Sequence, residues 1–138
     1  IFEGGHDLGI VIVGGEVYHG NAVSGLQDRY IFGYWSKSRT AGDGVILAAT
    51  PPAEWSGGSL PDIAADLTQE DIAMWETQTL NITSGDNETP GFFLRGFGKD
   101  EAWDMYVLTN DVGGPDGSTS TGKIWKIVPS TTVDPATM

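Results

Sequence analysis

The chain never runs far before a glycine or a proline interrupts it. Twenty glycines and seven prolines are spread through 138 residues, many in turn-forming neighbours such as Gly14-Gly15, Pro51-Pro52 and Gly113-Gly114. Glycine loses the most backbone freedom on ordering, and proline cannot donate to a helical ladder. Long helices are therefore excluded, and short strands joined by turns remain. Between the interruptions the runs are rich in β-branched and aromatic residues, which suit a pleated surface. They read as seven or eight strands. The runs are GIVIVGGEVYHG (9–20), RYIFGYW (29–35), GVILAAT (44–50), MWETQTLNI (74–82), FFLRGFG (92–98), DMYVLT (104–109) and GKIWKIVP (122–129). The first is expected to kink or bulge at Gly14-Gly15. Thr68 is a possible N-cap of one short turn, 51–62 is a turn-rich excursion, and 130–138 reads as a linker or frayed end.

The strands recur. Tyr30 and Tyr106 hold matching places 76 positions apart (106 − 30 = 76), and Gly44 and Gly122 do so 78 apart (122 − 44 = 78). Each unit is a strand with a glycine kink, an aromatic strand, then Gly-x-Ile or Gly-x-Val leading an outer strand. Repeated antiparallel meanders of four strands are the pattern of β-propeller blades. The expected fold class is all-β, with residues 1–129 forming two blades and the second blade lacking a clear fourth strand. Two blades cannot close a ring, because each needs a neighbour on both faces. The implied partners are the remaining blades, from the same precursor or another chain.

Composition narrows the function. Nineteen acids against seven bases, four of them lysines, give a net charge of −12. Nucleic acid and anionic membrane surfaces need clustered Lys and Arg, so neither is an expected partner. The acids either hold cations or adapt the surface to a salty medium; their scatter favours salt. With no cysteine, disulfides, thiol catalysis and thiolate metal sites are excluded. No apolar run approaches the ~20 residues of a membrane-spanning helix. The chain opens on Ile1, which suggests processing or a longer precursor. Asn81 and Asn87 each begin an Asn-x-Thr sequon, which points to glycosylation and an extracellular or cell-surface location.

Four segments carry a family resemblance. GGEVYHG (14–20), LQDRYIFGY (26–34), FGKDEAWDMYVLT (97–109) and GPDGSTSTGKIWKI (114–127) resemble motifs of soluble aldose sugar dehydrogenases, the glucose/sorbosone dehydrogenase family. Those motifs run GG-x-VY-R-G, L-x-G-x-Y-x-F-G-D, FG-x-D-x-x-G-x-x-YVLT and GP-x-G-x-TG-x-[IV]-x-[RK]-I. The resemblance spans Gly5 to about Pro129 and keeps motif order. It implies the C-terminal part of a six-bladed propeller that uses pyrroloquinoline quinone and calcium. In that chemistry a histidine base takes the proton of the sugar C1 hydroxyl while hydride passes to the quinone. Three departures stand out: His19 replaces the basic Arg after VY, Tyr34 replaces the Asp after FG, and Ala102-Trp103 replace Asp-Gly. Nothing here corresponds to the family's catalytic histidine, so no catalytic residue is assigned to this chain.

The candidate cofactor-binding residues are His19, by its aligned position, and Arg95, the one Arg of the second unit, set among apolar residues and expected to point to the axis where the resemblance implies positive charge gathers for the cofactor. The plainer alternatives are a strand-end histidine bonded to a neighbouring carbonyl, and an arginine salt-bridged to one of the acids. His6 beside Asp7 reads as a loop contact. Asp111 and Asp116 lie in a loop that does not follow the spacing of a calcium-binding loop. The five tryptophans are mainly core candidates, with Trp55 and Trp103, both in loops, the two placed to stack on a sugar. The expected function is the C-terminal part of a quinone-dependent sugar dehydrogenase-like protein, with a non-catalytic extracellular binding or structural propeller as the alternative. Substrate and electron acceptor are not legible in these residues.

Overall fold

The computed structural model describes residues 6–51, 75–84, 90–114 and 120–130. Thr68, Trp55, Asn87, Asp116 and the tail 131–138 lie outside them. Among the described residues seven strands form, one in each expected run: β1 (Ile12–Val17), β2 (Tyr30–Tyr34), β3 (Val45–Thr50), β4 (Glu76–Thr79), β5 (Phe93–Lys99), β6 (Met105–Asn110) and β7 (Lys123–Lys126). They make two antiparallel sheets, β1-β2-β3-β4 and β5-β6-β7, each strand paired to its sequence neighbour. The chain is all-β, in two open meanders of four and three strands, as the strand pattern predicts.

The kink expected at Gly14-Gly15 is a β-bulge. Val13 pairs with Gly33 and Glu16 with Ile31, so β1 spends one extra residue. A side chain on Gly15 would collide with the carbonyl of Ile31, which only glycine avoids. The Gly15 N–H donates instead to the Tyr30 hydroxyl, 3.1 Å away. Beyond the bulge the first strand is shorter than the run 9–20 suggests. Tyr18 turns out of the ladder into the core, where it is fully buried and its hydroxyl accepts the Val23 N–H at 2.9 Å. One 3-10 turn follows, at Ser24–Leu26, which the strand pattern did not anticipate. A second bulge, between Leu94 and Gly96, leaves Arg95 as the extra residue of β5.

Alternation along β2 and β3 sends side chains to two separate clusters. Ile31, Ile46 and Ala48 face the second sheet and meet Leu94, Met105 and Val107, with Tyr18, Leu26 and Phe92 closing the cluster. Phe32, Tyr34, Leu47 and Ala49 fill the opposite face, with Tyr30, Val45 and Trp75 against them. The central strands of the first sheet are thus buried on both sides, which explains why they read as continuous apolar runs rather than alternating ones. The second sheet differs. Met105, Val107 and Thr109 point inward and are buried, while Leu108 and Ile124, paired on the outer face, are exposed.

The sheets lie side by side with β1 next to β5. The Leu94 N–H donates to the Trp35 carbonyl at 2.9 Å, and the Gly44 N–H donates to the Phe92 carbonyl at 2.7 Å. Further along, Lys99 Nζ lies 3.1 Å from Glu16 Oε2. One detail of the repeat is corrected. Tyr30 belongs to the face of its sheet turned away from the second sheet, and Tyr106 to the face of its own turned away from the first. The two tyrosines therefore do not hold matching places in their sheets. Leu47 and Trp125, 78 positions apart, face the same sense in their sheets.

Candidate functional site

Two loops meet at one end of the paired sheets: the β1–β2 connection (18–29) and the β5–β6 hairpin loop (100–104). Gly20 permits the approach, since a Cβ there would lie 2.9 Å from both the Trp103 carbonyl and Asp104 Cα. The Ala22 N–H donates to Asp104 Oδ1 at 3.3 Å, and Lys126 Nζ lies 3.0 Å from Asp104 Oδ2. The hydrogen bond from the Lys126 ammonium, helped by backbone N–H groups of Ala22 and Asn21, holds the Asp104 carboxyl below its ordinary range against the opposing effect of burial. This carboxylate ties the two loops together.

The hairpin loop itself is built by Asp100. Its N–H donates to the Asp104 carbonyl and its own carbonyl accepts the Trp103 N–H, both at 3.0 Å. Its Oδ1 accepts the N–H groups of Ala102 (2.9 Å) and Asp104 (3.0 Å). A tight turn followed by one left-handed residue is the usual plan of such a loop, and Trp103 takes the left-handed position with φ 66°. Across the junction Asp28 is also left-handed, φ 62°, its N–H bound to the Tyr18 carbonyl at 2.9 Å. These are the two positive-φ residues other than glycine among the described residues.

His19 stands between them. Its Nδ1 is 3.4 Å from Asp28 Oδ1, an ion pair when the imidazole is protonated, and half of the side chain is exposed. Its ring meets the Trp103 indole edge-on, centroids 6.1 Å apart. Lys99 Nζ lies 4.8 Å from the centroid of the same indole while bridging to Glu16. The mouth is therefore one half-exposed indole ringed by two base–acid pairs, His19–Asp28 and Lys99–Glu16.

Arg95 is elsewhere. From its bulge it turns toward the other end of β5, donating through Nε to Asn110 Oδ1 (2.9 Å) and through Nη2 to the Val112 carbonyl (2.7 Å). It is exposed, and its hydrogen bonds go to an amide and a carbonyl rather than to one of the acids. The two residues expected at a quinone are thus not brought together, and His19 alone could touch one at this mouth. The described residues hold no group of three His, Asp or Glu side chains able to bind a calcium ion. Asp111 Oδ2 lies 3.8 Å from Lys123 Nζ, and its N–H bonds to Thr121 Oγ1. His6 is exposed. Asn81 is exposed just after β4, on the rim of a cavity of about 220 Å³ between the sheets, floored by Ile46, Phe92, Val107 and Trp125. The Trp125 Nε1–H donates to Thr109 Oγ1 at 2.8 Å, so this indole is structural.

Sequence reasoning picked out His19 and Trp103 separately and missed Asp28, Lys99 and Glu16. An Asp preceding a strand in LQDRY was the available signal for a left-handed turn residue. Comparison with family models, with characterised proteins and with solved structures gives no match for this chain.

Proposed function

We propose that this chain is an arc of two neighbouring propeller blades from a quinone-dependent sugar dehydrogenase-like protein, and that it forms part of the wall of the site through His19. The observation that carries the reading is the backbone at Asp28 and Trp103. In the motifs the chain resembles, L-x-G-x-Y and D-x-x-G, these two positions are glycines. Among the described residues they are also the two non-glycine positions whose φ is left-handed, 62° and 66°. Glycine adopts that conformation freely and other residues do so at a cost, so the motif glycines and this backbone agree on a physical requirement. Supporting it are the sequential meanders, the adjacency of β1 and β5, and the uncovered outer face of the second sheet, where Leu108 and Ile124 await a further blade.

Bound quinone would supply the hydride acceptor. The base that takes the sugar proton and most of the cofactor contacts belong to other blades. What this chain contributes is the half-exposed His19 imidazole, oriented through Nδ1 by Asp28. The calcium ion, too, falls to the rest of the ring.

The test is dye reduction with glucose, quinone and calcium, using the full-length precursor and the 138-residue chain in parallel. The precursor is expected to reduce the dye and the chain alone to stay inactive. A folded precursor that stays inactive after loading would overturn the dehydrogenase reading. It would favour the non-catalytic extracellular module, a reading encouraged by the separation of Arg95 from His19.

A further inference from the structure

We propose that the cavity between the two sheets is a preformed binding site for a small neutral aromatic molecule, a single ring carrying a hydroxyl group. The inference goes beyond the proposed function and does not rest on it, since none of His19, Asp28, Trp103, Lys99 and Glu16 lines this cavity.

The cavity follows from how the sheets meet. They touch closely where β1 lies beside β5 and part toward β4 and β7, whose trailing segments, 81–84 and 127–130, flank the opening. Two aromatic side chains border the space, and both are held back from filling it. The Trp125 Nε1–H donates to Thr109 Oγ1 at 2.8 Å, which fixes that indole as a wall. Phe92 is drawn against Gly44 instead. Its carbonyl accepts the Gly44 N–H at 2.7 Å, and a Cβ on residue 44 would come within 2.7 Å of its ring. Protein interiors normally close gaps between side chains. About 220 Å³ left between two pinned walls is therefore space that exists before any guest arrives.

Size and chemistry select the guest. A dry apolar cavity of about 150 Å³ holds one benzene molecule, so this one takes a single ring with a small substituent. Phe92 and Trp125 present aromatic surface, and Ile46 and Val107 complete an apolar floor. The polar groups sit at the rim and are uncharged. Asn81, Thr83 and Ser84 line the opening, and among the described residues no hydrogen bond engages their side chains. They can donate to and accept from one hydroxyl. No acid lines the cavity among the described residues, so a cation has no partner there. The base that does, Lys126, is turned away: its Nζ lies 3.0 Å from Asp104 Oδ2 and 5.8 Å from the Tyr106 ring centroid, on the outer face of the second sheet. Burying an unpaired charge is costly. Both ionic classes are therefore disfavoured, and a phenol-like ring remains. A guest of about eight heavy atoms predicts a dissociation constant on the order of 0.1–1 mM.

The experiment is a titration of the full chain with p-cresol, followed by the indole N–H resonances, with Trp125 assigned by its loss in Trp125→Phe. Saturable movement centred on the Trp125 signal is the expected result. Toluene, which lacks the hydroxyl, and p-hydroxybenzoate and 4-hydroxybenzylamine, which add a charge to the same ring, should each bind about tenfold more weakly or worse. Val107→Phe fills the cavity from its floor and Ile82→Phe closes it from the rim, and each should abolish binding. Ile82 is only partly buried, so its replacement tests the site even where a change in the core unfolds the chain. No saturable shift of the Trp125 signal up to about 10 mM, shifts of equal size at Trp35 and Trp103, or undiminished binding by Ile82→Phe overturns the inference. Toluene or either ionic ring binding as tightly as p-cresol does so too.

Discussion

Replacing Gly33 by alanine tests how closely the two sheets meet. A methyl group there would lie 2.5 Å from Leu94 Cδ2 on β5 and closer still to the Val45 carbonyl oxygen on β3. Leu94 is fully buried, and Val45 pairs with Tyr34 in the β2–β3 ladder, so neither neighbour has free space to retreat into. Overpacking of this kind costs about 1–3 kcal/mol, and the backbone contact places Gly33→Ala in the upper half of that range. Leu94→Ala, which opens a cavity in the shared cluster, costs about 2–5 kcal/mol. In the double variant the shortened Leu94 relieves one of the two clashes, and the new methyl occupies part of the cavity. The pair is therefore less destabilised than the sum of its parts, by about 0.5–1.5 kcal/mol. Urea unfolding of the four proteins measures this directly, and thermal melting should track it at roughly 4 °C per kcal/mol. Additivity within about 0.3 kcal/mol, or a Gly33→Ala protein as stable as its parent, would refute the packing of β5 onto β2.

Two further predictions concern charge. Asp43 is held below its ordinary range chiefly by the Ser36 hydroxyl, with the N–H groups of Lys37 and Ser38 assisting, and Asp104 by Lys126. Because the folded values are depressed, their stabilisation is present above the ordinary carboxylate range and lost as pH falls through the folded values; Asp43→Asn should melt lower at neutral pH and show a flatter acid limb than the parent. The net charge of −12 predicts a melting temperature that climbs with potassium chloride, as screening shortens from ~30 Å at 0.01 M to ~3 Å at 1 M. A melting curve indifferent to potassium chloride, or one that responds to calcium far more strongly, removes the salt-adaptation reading.

Much of the fold was legible in the amino-acid order. The β-branched and aromatic runs became the seven strands, and Gly14-Gly15 became the bulge, because strand propensity and bulge sterics depend on residues close along the chain. The candidate site was less legible. His19 and Trp103 drew notice singly, yet they are 84 positions apart in sequence (103 − 19 = 84), and nothing local relates them. Their meeting depends on Gly20 admitting the Trp103–Asp104 backbone and on β1 lying beside β5.

The sequence by itself determined which residues could pair into strands and where one strand had to bulge. Only the tertiary structure decided facing and company. Side chains alternate at every residue of a strand, so a single inserted residue reverses the face of all that follow. Arg95, the extra residue of its bulge, turns toward Asn110 and Val112 instead of His19 for that reason. Tyr30 and Tyr106, matched by eye along the chain, face opposite senses for the same reason. Sequence periodicity records the alternation; which side becomes the inside is set by the sheet that arrives against it.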